Sequence, residues 1–137
     1  MPLIKVYYGP KGTGKTKSMV VSANELAESS RGEIVYIHNS DQLMYHLSYK
    51  VRFTNADEYP INNIHSMLGF IAGIISQNYD IEAIYIDSLS YIVKTDVKEM
   101  AELLEGLDRL SAKNDVDLYI SISSDTGKVP DEICKYV

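Results

Sequence analysis

The chain has 137 residues, 45% hydrophobic and 23% charged, which suits one domain with an apolar core of its own. Its net charge of −6 argues against generic nucleic-acid binding, because phosphate affinity rests on Lys and Arg. With Cys134 as the only cysteine, an internal disulfide and a CxxC metal pair are excluded, and a reducing, cytoplasmic setting is expected.

In chain order, residues 3–8 (LIKVYY) predict a short strand ended by Gly9-Pro10. The strand begins at once, so no signal peptide is expected. From Lys15 to Glu28, residues Met19, Val20, Ala23, Leu26 and Ala27 fall at helical spacing. Residues 29–32 form a turn, and 33–38 (EIVYIH) read as a second strand. Asn39, Ser40 or Asp41 would cap a short helix to about Tyr45. Val51 to Thr54 alternates and predicts an edge strand, and a helix follows over 62–77. That helix holds the most apolar stretch, 64–75 (IHSMLGFIAGII), which is far short of the roughly 20 residues that span a bilayer. Gly69 and Gly73 are read there as small residues that let a buried helix approach a sheet.

Residues 81–87 (IEAIYID) are a strand ending in an acid. Thr95 or Asp96 opens the next helix, with Glu99 in capping-box position and Val97, Met100, Ala101, Leu104, Leu107 and Leu110 as its apolar stripe. Residues 117–123 (DLYISIS) are the last strand, and the tail over 125–137 predicts about one helical turn. Strands alternating with helices imply an α/β domain with a mainly parallel sheet covered on both faces.

The stretch from Gly9 to Thr16 (GPKGTGKT) fits G-x-x-x-x-G-K-[ST] at every fixed position. Glycines let successive backbone N–H groups wrap an anion, and the helix starting near Lys15 adds its positive end. Pro10, Lys11, Gly12, Thr13, Gly14, Lys15, Thr16 and Lys17 are therefore the candidate nucleotide-binding residues. Lys15 would reach phosphate oxygens, and the Thr16 hydroxyl would hold Mg²⁺ together with Asp87, the acid at the end of the apolar AIYID strand.

On these two motifs the chain resembles the P-loop NTPases, with Walker A at 9–16 and Walker B at 83–87. Asp87-Ser-Leu-Ser90 lacks the DxxG of GTPases, and no NKxD is present to read guanine. Three scattered arginines leave little material for a small-molecule kinase lid. The IYIDSLSYI stretch at 84–92 is most similar to the RecA-like ATPases. That resemblance implies a three-layer fold in which the 117–123 strand separates the Walker A and Walker B strands, with 51–54 at an edge. It also implies a polar residue near the γ-phosphate from Ser123, Ser124 or Asp125; Ser123 is chosen, and Ser121 is equally readable as a small core residue.

One departure stands out: the position after the Walker B acid, often Glu, is Ser88, and His38 or Asp41 would have to substitute. The resemblance thus implies Mg²⁺-ATP binding with Lys15, Asp87 and Ser123 as catalytic candidates, and slow or partner-dependent hydrolysis. The alternatives are a non-hydrolysing regulatory or assembly module and a small DNA-processing motor subunit. A second copy or a partner would supply an arginine, for which Arg52 and Arg109 are candidates against a plain solvated role. His38, His46 and His65 are too dispersed to suggest a metal site, no GxSxG elbow is present, and Tyr7, Tyr8, Tyr85 and Tyr119 read as half-buried packing residues.

Overall fold

A computed structural model describes residues 2–125 and 127–137; Thr126, inside the tail predicted to turn, lies outside the described residues. Five strands form one sheet: β1 (Ile4–Gly9), β2 (Glu33–His38), β3 (Val51–Asn55), β4 (Ile81–Ile86) and β5 (Asp117–Ser123). All neighbours are parallel, in the order β1-β5-β4-β2-β3. The last strand thus separates β1 from β4, and the short β3 sits at an edge, as the sequence predicts.

The helices are α1 (Lys15–Ser29), α2 (Ile64–Ser76), the single turn α3 (Leu89–Ile92) and α4 (Val97–Asn114). Helix α1 packs Met19, Ala23 and Ala27 on one face of the sheet, against Ile34, Tyr36, Ala83 and Tyr85. Helices α2 and α4 cover the other face, where Met67, Ile71, Leu103 and Leu107 meet Val35, Ile37, Ile84 and Ile120. β2 and β4 are buried on both faces, so both read as continuous apolar runs rather than alternating ones. The tail closes under β1, where Ile133 and Tyr136 join the second core around a 3₁₀ turn at Cys134–Tyr136.

Capping fixes where two helices begin. Asp96 accepts from the Glu99 N–H at 2.8 Å and Glu99 accepts from the Asp96 N–H at 3.4 Å, the capping box expected for α4. Asn63 and Ser66 do the same for α2.

Three expectations change. The apolar stripe of α4 is rotated: Val97 is 41% exposed, while Leu103 is fully buried, because α4 packs against α2 as well as the sheet. Gly69 and Gly73 face outward, with nothing within 4 Å of where a Cβ would stand. The glycine of close approach is instead Gly106 on α4, where a Cβ would lie 2.7 Å from the Leu68 Cδ2. Finally, the helix expected up to Tyr45 shrinks to a 3₁₀ turn at Met44–His46. There Asn24 of α1 claims the backbone, donating to the His46 carbonyl at 3.0 Å and accepting from the Ser48 N–H at 2.7 Å. Among the described residues, no helix is long and apolar enough to cross a membrane.

Leu103→Ala is expected to cost about 2–5 kcal/mol, the range for emptying a packed core position. Val97→Ala should stay within about 0.5 kcal/mol, as for a surface change. Urea unfolding of both variants checks this; equal losses would contradict the packing of α4.

Candidate active site

β1 leads into the glycine loop, and α1 leaves it. Gly12 and Gly14 adopt φ values of 87° and 86°, left-handed backbone that a Cβ would strain. Gly14 is the N-cap of α1, with no side-chain cap and no acid in the first turn. Thr13 closes a turn on Pro10, and among the described residues none of the backbone N–H groups from Gly14 to Lys17 has a protein acceptor. These donors sit at the positive end of a 15-residue helix, an arrangement that favours an anion.

Lys15 bends back across the loop. Its ammonium donates to the Gly9 carbonyl at 2.9 Å, the Pro10 carbonyl at 2.7 Å and the Thr13 hydroxyl at 3.4 Å. Thr13 in turn donates to the Pro10 carbonyl at 2.8 Å. Pro10 and Thr13 therefore hold Lys15, while Lys11, Gly12, Gly14, Thr16 and Lys17 line the cleft above the loop. Partial burial lowers the Lys15 pKa, and the negative charge of Asp87 works against that shift.

Asp87 follows the last residue of β4 and is fully buried. Four hydroxyls donate to its carboxylate. Thr16 reaches Oδ1 at 3.1 Å, Ser121 at 2.7 Å and Ser88 at 3.3 Å, while Tyr36 reaches Oδ2 at 2.7 Å. Thr16 and Asp87, paired from sequence as metal ligands, are thus in direct contact. Ser121 also accepts from the Ser88 N–H at 2.7 Å, tying the turn after β4 to β5. Ser88 is left-handed at φ 63°, so the backbone bends sharply beside the carboxylate.

The Tyr36 donor is secured from below. Its ring stacks on Tyr85 at 5.6 Å, and Tyr85 stacks on Tyr119 at 4.5 Å, three tyrosines in register across β2, β4 and β5. Tyr85 is fully buried rather than half-buried, and its hydroxyl meets Ser22 of α1 at 2.7 Å. Burial first, and the adjacent Asp87 charge second, push the Tyr36 pKa far above its ordinary value. Burial pushes Tyr85 up to about 12. Tyr36 therefore remains a protonated donor throughout the ordinary pH range.

The cleft has a volume of about 740 Å³, within the span of small-molecule sites. His38, at the end of β2, lines it; its buried Nδ1 has no hydrogen-bond partner and lies 3.9 Å from Asp87 Oδ2. Ser123 lines it too, but its backbone N–H is bound to the Ser90 hydroxyl at 3.0 Å, and the hydroxyl on Asp87 belongs to Ser121. Ser124 and Asp125 lie in an adjoining hollow of about 450 Å³ that shares Lys11, Tyr91 and Ser123 with the cleft. Asp41 turns away, accepting from Asn55 at 3.2 Å. Arg52 pairs with Glu33 at 3.7 Å on the edge strand, and Arg109 lies on the outer side of α4 beside Gly106; neither lines the cleft. Among the described residues, no three His, Cys, Asp or Glu side chains cluster as a metal site.

Sequence reasoning missed Tyr36; Ser121 is the small core residue it was read as, and its bond to Asp87 was not foreseen. The available signal for Tyr36 was a hydroxyl inside a strand buried on both faces, which requires a polar partner. No protein-family model matches the chain, and no curated protein is significantly similar to it, so function has to be argued from the site.

Tyr36→Phe strips a buried carboxylate oxygen of its donor and should destabilise the fold by about 1–3 kcal/mol. Tyr85→Phe removes a hydroxyl paired only with Ser22 and should cost about 1 kcal/mol or less. Chemical denaturation at neutral pH ranks the two, and the reverse order would refute the weight given to the Asp87 contact.

Proposed function

We propose that this protein binds ATP with Mg²⁺ in the cleft above the glycine loop and hydrolyses it slowly, or only when a partner completes the site. The observation that carries this reading is the conjunction of four consecutive backbone N–H groups, Gly14 to Lys17, without protein acceptors among the described residues and a Thr16–Asp87 contact of 3.1 Å beside them. The first suits phosphate. The second groups two oxygen ligands of the kind Mg²⁺ takes. Thr16 and Asp87 would hold the metal, whose charge would offset that of the phosphate oxygens.

Lys15 already spans the loop and would exchange the Gly9 and Pro10 carbonyls for phosphate oxygens. The strand order, with β5 between β1 and β4, supports the RecA-like branch of the P-loop resemblance.

A second reading, a nucleotide-binding regulatory or assembly module that does not hydrolyse, is favoured by one observation. Among the described residues, no carboxylate lines the cleft: the residue after the buried Asp87 is Ser88, which donates to it, and Asp41 is engaged with Asn55. No arginine lines the cleft either. In-line attack on a phosphoryl group needs an oriented water and a cation against the growing charge. A missing arginine alone can be worth about 10³–10⁵ in rate.

Mg²⁺-ATP is expected to raise the melting temperature, by the equivalent of about 2.7 kcal/mol when ligand stands at about 100 times Kd. Lys15→Ala should remove most of that shift. No shift with ATP, ADP, GTP or GDP would sink the proposal, and a clear preference for GTP would refute the branch. Because the Lys15 pKa is lowered, affinity should begin to fall at an alkaline pH below the ordinary lysine range, as the ammonium loses its proton. Turnover by the protein alone should lie well below the roughly 1–100 s⁻¹ of kinases. Fast, Lys15-dependent turnover in dilute solution would show that a base is already in place.

A further inference from the structure

Helix α2 lies on the outside of the molecule, yet its thirteen residues (IHSMLGFIAGIIS) include no Asp, Glu, Lys or Arg. Gly69 and Gly73 are exposed and nothing stands within 4 Å of either Cβ position, though both also edge a hollow over β2 and β3 with Val35 and Thr54. A shallow groove of about 370 Å³ runs between α2 and α4, with Gly69 and Ala72 on one wall and Gly106 and Arg109 on the other. An apolar, uncharged surface helix in an otherwise well-charged chain marks a contact surface.

Helix α4 indicates what covers it. Glu99, Glu102, Gly106, Arg109 and Lys113 recur at three- and four-residue spacing along one side of α4, and the last three of them line the groove. The acids occupy one half and the bases the other, centred on Gly106. Acid-first order also suits the helix dipole, but that effect fades within the terminal turns. Glu102 and Arg109 are interior positions of an 18-residue helix.

We infer that two copies of this chain pair through the outer face of α2 and α4, about a two-fold axis perpendicular to both helices at the level of Gly106. Such an axis lays α4 antiparallel to the partner's α4, so that Glu102 faces the partner's Arg109 and Glu99 faces the partner's Lys113. The same axis crosses α2 where Leu68 meets Gly106, at the edge of the bare Gly69–Gly73 stretch, so the two uncharged helices meet on glycines. One operator satisfies both patterns, as an isologous contact must. The face is roughly 20 Å by 25 Å from the helix lengths and spacing, which buries about 1,000 Å² in total, the lower limit for a specific interface. An interface of that size is at the weak end of specific pairing. Because both helices run back from the cleft end of the sheet, this axis sends the two clefts to opposite ends and does not deliver Arg109 to a neighbour's cleft.

Sedimentation equilibrium from low micromolar to near-millimolar protein tests the pairing. The wild-type chain should pass from monomer to dimer. Glu102→Arg and Arg109→Glu should each weaken association by about tenfold or more, and the double variant, which restores opposite charges across the axis, should recover most of the loss. A Cβ at Gly73 meets nothing within 4 Å in the monomer, so Gly73→Arg should keep or raise the melting temperature while abolishing the dimer. A wild-type monomer at every concentration, a dimer indifferent to the single reversals, or a double variant no better than the singles would overturn the inference.

Discussion

A carboxylate taken wholly out of water is tolerable only when its oxygens are met by donors, and Asp87 is met from four separate places. Thr16 comes from the first turn of α1, Tyr36 from β2, Ser121 from β5, and Ser88 from its own turn. Each donor presupposes a piece of architecture. Tyr36 and Ser121 can flank Asp87 only because β2 and β5 are the two neighbours of β4. Thr16 can reach it only because the glycine loop sets the start of α1 above the end of that strand. The sheet order and the cleft are therefore one constraint seen from two sides.

The two faces of the sheet serve this centre differently. The α1 face is built of small helix residues, Ala23 and Ala27, over large strand residues, Tyr36 and Tyr85. Small residues bring the helix close, and the stacked rings fill the gap while carrying hydroxyls to Asp87 and Ser22. The opposite face is wholly aliphatic at its centre, with Ile37, Ile84, Ile86 and Ile120 beneath Met67, Leu103 and Leu104. The polar side chains that meet Asp87 from the strands, Tyr36 and Ser121, thus belong to the sheet's own neighbours of β4.

Much of this was legible before any coordinates. The fixed spacing of GPKGTGKT, the Asp96–Glu99 capping box and the acid closing an apolar strand are local patterns, and local patterns survive in a one-dimensional string. The order of the strands came from resemblance rather than from periodicity. What escaped was set by pairwise packing. The rotation of α4 that buries Leu103 and exposes Val97 depends on α2 lying beside it. The roles of Gly69 and Gly106 exchange for the same reason: which glycine is crowded is decided by the neighbouring helix, not by spacing. Ser121 and Ser123 lie on the same face of one strand, and only the position of Asp87 on the next strand separates a hydroxyl that binds it from one that does not. The turn α3 is too short for any period to reveal.

The first strand has a single strand partner, and that partner is the last one. β1 pairs only with β5, and the Leu3 N–H is anchored on the Asp117 side chain, 114 positions further along the chain. Contacts of such separation form late, because a long loop must close before they repay it. During synthesis β2, β3 and β4 can pair as they emerge, while the strand that launches the glycine loop waits for residues 117–123 to appear. Of the five strands, the one made first is thus among the last to be put in place. The glycine loop that β1 launches cannot be held in place before β5 has emerged, so the loop and the sheet are completed together.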